Sequence, residues 1–507
     1  MTQNNFIYPS HQGMIDDLAI ADRNLTDVID EIKTLYLSDS RPWIIGFSGG
    51  KDSTTILSLI YYALLQFSKE QLTKPIYVVS SDTLVETPVV VDMILSVIDT
   101  INNQAKKDSL PITAHTVQPK PDQTFWVNLL GRGYPAPTQS FRWCTERMKI
   151  DPVSDFIIKK AAAFGEVILV LGSRSQESSS RAQVIANHKI KGSILSRHNS
   201  LPNAFTYMPI ASWSADEVWE YLMSAPCPWG GSNQELFDLY KGSNAGECPL
   251  VIDTSTPSCG NSRFGCWTCT VVSKDKAVEG LIESGASWMQ PILEFRNELH
   301  FSTLPENKPT YRNHKRRTGK VSYVRGDITD DENTQKRHIP GPYWMSVRQS
   351  WLKKLLTIEK EIRDSGRDID LIQRDELHQI RQLWLRDPNE PDWADSLPSI
   401  YNDIYSGNEI NWSENDAGAF TELDAQLLRD IEQEHGAPAE MVMKLIEVEL
   451  SMTGLSRRKG ILNKIESVLK KDWGSLEDIN KRNLSPERHN LYSEKLDSLK
   501  QQYEDLK

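Results

Sequence analysis

The 507-residue sequence predicts an α/β protein: a doubly wound parallel sheet, a cysteine-rich segment packed on it, and a helical C-terminal region. Three observations carry this. Short apolar runs alternate with stretches of helical spacing between residues 43 and 173. The strand runs have apolar interiors, as strands covered on both faces require. From residue 344 onward helical spacing dominates.

Taken in order, residues 16–37 carry apolar positions at helical spacing and predict a leading helix. WIIGF (43–47) predicts a buried strand, and STTILSLIYYALLQF (53–67) the helix after it. IYVVSSD (76–82), ITAHTVQP (112–119) and VILVLGS (167–173) predict three more strands. Helices are expected over 85–104 and 151–163, the second closed by Gly165. SWSADEVWEYLMSA (212–225) predicts a helix whose start, Ser214 followed by Glu217, has the form of a capping box. Residues 226–270, rich in Gly, Pro, Ser and Cys, predict loops tied down by something other than a core. The expected divisions are 1–40, 41–225, 226–300, a basic irregular linker at 301–343, and helices over 344–507.

Hydrophobic content of 39% and charged content of 25% are ordinary for a soluble chain. No apolar run reaches the roughly 20 residues of a membrane span. The N-terminal residues lack the pattern of a secretory signal, so a cytoplasmic protein is expected. Net charge is −12, so any nucleic-acid contact must come from a local patch. KPTYRNHKRRTGKVSYVRG (308–326) is the candidate, with seven Lys/Arg, no acid, and Tyr311 and Tyr323 interleaved.

The stretch SGGKDS follows the first strand. Strand, glycine turn and helix aim backbone N–H groups and a helix N-terminus at phosphate. Gly49 and Gly50 permit close approach, Lys51 adds a charge, and Ser48 and Ser53 add hydroxyls. The run is not a Walker A loop: Ile45 stands at its first position and Asp52 replaces the hydroxyl after the lysine. Asp82 and Thr83 end the second strand where open sheets present ligand contacts. Arg174 and Arg181, after the fourth strand, are candidates for bidentate phosphate contacts.

Six cysteines are present, and CGNSRFGCWTC places Cys259, Cys266 and Cys269 within eleven residues. Three thiolates at this spacing suit a soft metal. Cys144, in RWCTERMK, is the expected fourth ligand, with Arg142 and Arg147 flanking it to favour thiolate; Cys248 is the reserve. Cys227 reads as an unrelated buried thiol. Structural zinc and a [4Fe–4S] cluster both fit four cysteines.

These residues carry a resemblance. SGGKDS is similar to the PP-loop of ATP pyrophosphatases, enzymes that cleave ATP between the α- and β-phosphates. RWCTERMKIDP, LGSRSQESSSR and MPIASWSADEVWEYL follow it in the order of the PAPS reductase family. GECPLVIDTSTPSCGNSRFGCWTCTVV (246–272) and PGPYWMSVRQSWLKKLL (340–356) resemble the DndC sulfurtransferases of DNA phosphorothioation. The resemblance implies a PP-loop, adenine nucleotide alpha hydrolase-like fold that binds ATP with Mg. It implies Ser48, Gly49, Gly50, Lys51, Asp52, Ser53, Asp82 and Thr83 as nucleotide contacts, and Lys51, Asp52, Arg174 and Arg181 as catalytic. A [4Fe–4S] cluster on Cys144, Cys259, Cys266 and Cys269 is implied. So are DNA as substrate, a cysteine desulfurase as sulfur donor, and DndD and DndE as partners. Rival expectations are a PAPS or APS reductase, a PP-loop tRNA thiolation enzyme, and a scaffold with a vestigial loop. The reductase relatives carry a nucleophilic cysteine in a C-terminal tail, and this sequence has none after Cys269.

Overall fold

The computed structural model describes residues 19–20, 23–177, 190, 193–198, 200–243, 265–324, 338–406, 410–415, 422–452 and 460–484. The chain divides into two compact units, Met1–Phe125 with Pro137–Asn297, and Trp126–Ala136 with Glu298–Lys507.

The first unit is built on a six-stranded sheet. Its strands are β1 (Trp43–Gly46), β2 (Ile76–Ser81), β3 (Ile112–Val117), β4 (Val167–Val170), β5 (Ser196–Arg197) and β6 (Ala204–Tyr207), in the order β3-β2-β1-β4-β6-β5. All neighbours pair in parallel except β5 with β6. Trp43, Ile44 and Ile45 are all fully buried, which explains the missing alternation in the sequence. Ile45 packs in the larger core with helices α1 (Leu25–Leu37), α2 (Lys51–Leu65), α3 (Pro88–Lys107) and α5 (Ala215–Ser224). Ile44 turns to the other face, where Ile157 of α4 (Asp151–Phe164) joins Val79, Val167, Leu169 and Ala204. Burying each such side chain contributes about 1.5–3 kcal/mol.

The doubly wound parallel sheet is thus observed, with two additions. The edge strand β5 and its neighbour β6 have only two and four residues, too short to show a period. α6 (Asn233–Ser243) lies where loops were expected: its buried stripe is narrow, Leu236 and Tyr240 one turn apart. The predicted capping box is present. Glu217 N–H donates to Ser214 Oγ (3.2 Å) and Ser214 N–H donates to Glu217 Oε2 (2.5 Å). Gly165 closes α4 at φ 85°.

The second unit is helical, and residues Trp126–Ala136 are threaded into it. Trp126 Nε1 donates to the Leu371 carbonyl and Trp384 Nε1 to that of Leu130, each at 2.7 Å. Arg348, fully buried, donates to the Gly131 carbonyl and pairs with Asp387, both at 3.0 Å. Gly341 crosses the basic segment with no room for a side chain: a Cβ there would lie 1.8 Å from the Lys315 carbonyl oxygen. Gly341→Ala must therefore move backbone against backbone. An expected loss of about 3 kcal/mol or more in this unit is checked by denaturant unfolding.

Candidate functional site

The strand order reverses around β1, with β2 on one side and β4 on the other. The ends of β1 and β4 thus mark the topological switch point, the place where open α/β sheets hold ligands. The turn Phe47–Gly50 leaves β1 and enters α2 at Lys51, two residues earlier than its apolar pattern suggests. Gly49 has φ +69°, a conformation open to glycine, and a Cβ there would meet Ile94 Cγ1 at 2.7 Å. Ser48 N–H donates to Ser53 Oγ (3.2 Å), and Ser53 Oγ donates to the Gly50 carbonyl (2.9 Å). The serine hydroxyls lie 3.2 Å apart, so Ser48 and Ser53 close the turn on itself.

Asp52 is held from two sides. Lys51 Nζ lies 3.1 Å from Oδ2, and Arg174 Nε donates to Oδ1 at 2.6 Å. Arg174 is buried and also donates to the Trp213 carbonyl (3.3 Å). Gly172 lets the two segments meet: its Cβ would fall 3.0 Å from the Asp52 carbonyl carbon. The structure therefore brings Arg174 to the loop across 122 residues. The tyrosine of α6 was missed in the sequence. Lys51 N–H donates to Tyr240 Oη (3.4 Å), and Lys51 Nζ sits 5.7 Å from the ring centroid.

A second group lies after β2. Thr83 is fully buried and donates to Glu86 Oε1 (3.1 Å), with its Oγ1 3.3 Å from Cys266 Sγ. Cys266 S–H points to the same carboxylate (3.7 Å), and Lys149 pairs with it at 3.0 Å. Burial and the Glu86 charge push the Cys266 thiol up, against Lys149 and Thr83. Desolvation lowers the Lys149 ammonium, but the charges of Cys266, Glu86 and Cys144 hold it above the usual lysine value. Cys144 lies close enough to Cys269 and Cys266 to interact electrostatically with both. Its flanking arginines do not bring its thiol down as expected: burial pushes it up. Thr83 thus stands with the thiols, while Asp82 accepts from Leu84 N–H (2.8 Å) and Gln118 (2.9 Å).

The thiol segment is fixed by its backbone. Trp267 N–H donates to the Val85 carbonyl (3.0 Å) and Thr87 N–H to that of Gly265 (3.2 Å). Buried Arg296 donates to the carbonyls of Cys269 (2.8 Å), Val272 and Ser273 (3.0 Å). Among the described residues no group of three or more His, Cys, Asp or Glu is gathered to hold a metal ion. In kind, the Cys144, Cys266 and Cys269 thiols suit a soft metal. Cys259, the remaining expected ligand, lies outside the described residues, as do Cys248 and Arg181. Glu86, Lys149, Tyr240 and Arg296 were not singled out from sequence. Each is an ordinary residue of its element, marked only by a partner far along the chain.

In the basic run, Arg312 is committed to structure, donating to the Gly341 and Pro340 carbonyls at 2.7 Å. Arg317 donates to the Arg132 carbonyl (2.5 Å), and Arg316 and Lys320 are exposed. Arg325 lies outside the described residues. Among those residues no helix is long and apolar enough to cross a membrane.

Comparison with known proteins bears on the first unit. Residues 42–272 match the phosphoadenosine phosphosulfate reductase domain. An uncharacterized protein of Methanocaldococcus jannaschii is 28% identical over 229 residues, 45% of this chain and 40% of that protein. The matched part is thus under half the length of that relative. Solved structures of low similarity include the PAPS reductase of Candida auris, at 14% identity over 44% of this chain and 93% of that one, TM-score 0.26. The U34-tRNA thiolase NcsA of Methanococcus maripaludis, solved with its [4Fe-4S] cluster, has 14% identity over 43% and 72%, TM-score 0.26. These likenesses carry no reaction or substrate to this chain. The family match supports a phosphoadenosine phosphosulfate reductase domain over residues 42–272, spanning the glycine loop, Arg174 and the thiol group.

Proposed function

We propose that this protein is an ATP pyrophosphatase and sulfurtransferase that replaces a non-bridging oxygen of a DNA backbone phosphate with sulfur. One observation carries the proposal: a glycine turn locked by Asp52 and Arg174 at the switch point, in one compact unit with a half-buried thiol group. The choice of DNA rests on the resemblance of residues 246–272 and 340–356 to DndC sulfurtransferases.

The chemistry requires both groups. A phosphodiester oxygen is a poor leaving group. Attack by that oxygen on the α-phosphorus of ATP forms the adenylate and releases pyrophosphate. A sulfur nucleophile then attacks the DNA phosphorus, and AMP departs with the original oxygen. The loop amides and Lys51 would bind the pyrophosphate that leaves, and Mg bound with the ATP would supply further charge to stabilise it. Arg174 would fix Asp52 and, with Arg181, the phosphate charge. Cys144, Cys259, Cys266 and Cys269 would hold a [4Fe–4S] cluster, which when bound supplies a site for sulfide. A cysteine desulfurase would deliver the sulfur, with DndD and DndE as further partners in the cytoplasm.

The test uses the full chain with ATP and one acceptor at a time. DNA should stimulate pyrophosphate release, tRNA should not, and PAPS should yield no sulfite. Stimulation by tRNA would move the reading to tRNA thiolation, and sulfite would move it to a reductase. The basic run would grip the DNA backbone. Replacing Lys315, Arg316 and Arg317 with Glu should weaken DNA binding and flatten log K against log salt by about 2–3 units. An unchanged slope rejects this patch.

A further inference from the structure

We propose that the Tyr240 hydroxyl is a direct ligand of the phosphate group held by the Ser48–Ser53 loop. The inference rests on the nucleotide reading above and adds a residue from a separate helix to that site. Tyr240 enters from α6, 189 residues from the loop, and its oxygen lies 3.4 Å from Lys51 N. That amide belongs to the first residue of α2, where N–H groups lack helical partners and face an anion. A Cβ on Gly50 would lie 3.1 Å from the same oxygen, so the hydroxyl stands over the glycine turn itself.

The position is built rather than incidental. The Tyr240 ring is packed edge-on to Trp219 at 5.1 Å and is almost wholly buried. Lys51 Nζ approaches the ring as the N–H approaches the oxygen. Asp52 and Arg174 are both near enough to act on its ionisation, which burial pushes up to about 12. The phenol thus stays protonated at neutral pH. It can donate to an anionic oxygen, where a phenolate would repel it. An anion at the α2 N-terminus would compete with Tyr240 Oη for the Lys51 N–H and with Asp52 for Lys51 Nζ, and would meet this O–H beside both.

The competing account is a purely structural cap, in which Tyr240 only satisfies Lys51 N–H. Tyr240→Phe separates the two, since it removes one oxygen and keeps the ring on Trp219. Calorimetric binding of magnesium pyrophosphate, ATP and AMP to the full chain is measured with a melting curve on each protein. The expected result is about 10-fold weaker binding of pyrophosphate and ATP, AMP affinity unchanged, and a near-native melting temperature. Unchanged pyrophosphate affinity in a folded variant overturns the ligand role and leaves the nucleotide reading intact. Wild-type protein that binds neither pyrophosphate nor ATP overturns both.

Discussion

Replacing Lys51 with alanine should lower ATP-dependent pyrophosphate release by about two to three orders of magnitude, the usual effect of removing one preorganised donor to developing charge. The side chain is only 11% exposed and lies 3.1 Å from Asp52, so its charge is already oriented. Stability should change little. Lys51 is the first residue of α2, and its backbone N–H, which Tyr240 receives, survives the substitution. Steady-state release of pyrophosphate, beside a melting curve, separates the two effects. Near-wild-type turnover in the variant would remove the loop from the chemistry.

Cys266→Ser is expected to abolish sulfur transfer while ATP binding stays near its wild-type value. The thiol sits between Thr83 and Glu86, with the Lys149 ammonium on the same carboxylate. A serine hydroxyl can keep the contacts to Thr83 and Glu86, so the segment should remain folded. It cannot supply a soft sulfur ligand. Iron and acid-labile sulfide content should fall with the activity. Full sulfur transfer by this variant would exclude the thiol group from the reaction.

Much of the fold is legible in the sequence, because covered parallel strands read as short apolar runs while the helices between them show helical spacing. WIIG and VILV carry no polar residue, and α2 follows its loop as expected. The stretch FWVNLLG is different. It falls inside the expected 41–225 division, yet Trp126 and Leu130 hydrogen-bond to Leu371 and Trp384 in the second unit. Nothing local distinguishes the two assignments. The same limit applies at the site. The glycine loop is a contiguous motif and can be read directly. Glu86 meets Cys266 across 180 residues, and Tyr240 meets Lys51 across 189. Such pairs depend on how the sheet edge gathers its loops, which no spacing rule encodes.

The most direct test of the central claim is mass spectrometry of nuclease-digested host DNA from cells carrying the wild-type protein or Lys51→Ala. The account predicts phosphorothioate dinucleotides with the wild type and none with the variant. Their absence from wild-type DNA, in a host with its partner proteins intact, would contradict it.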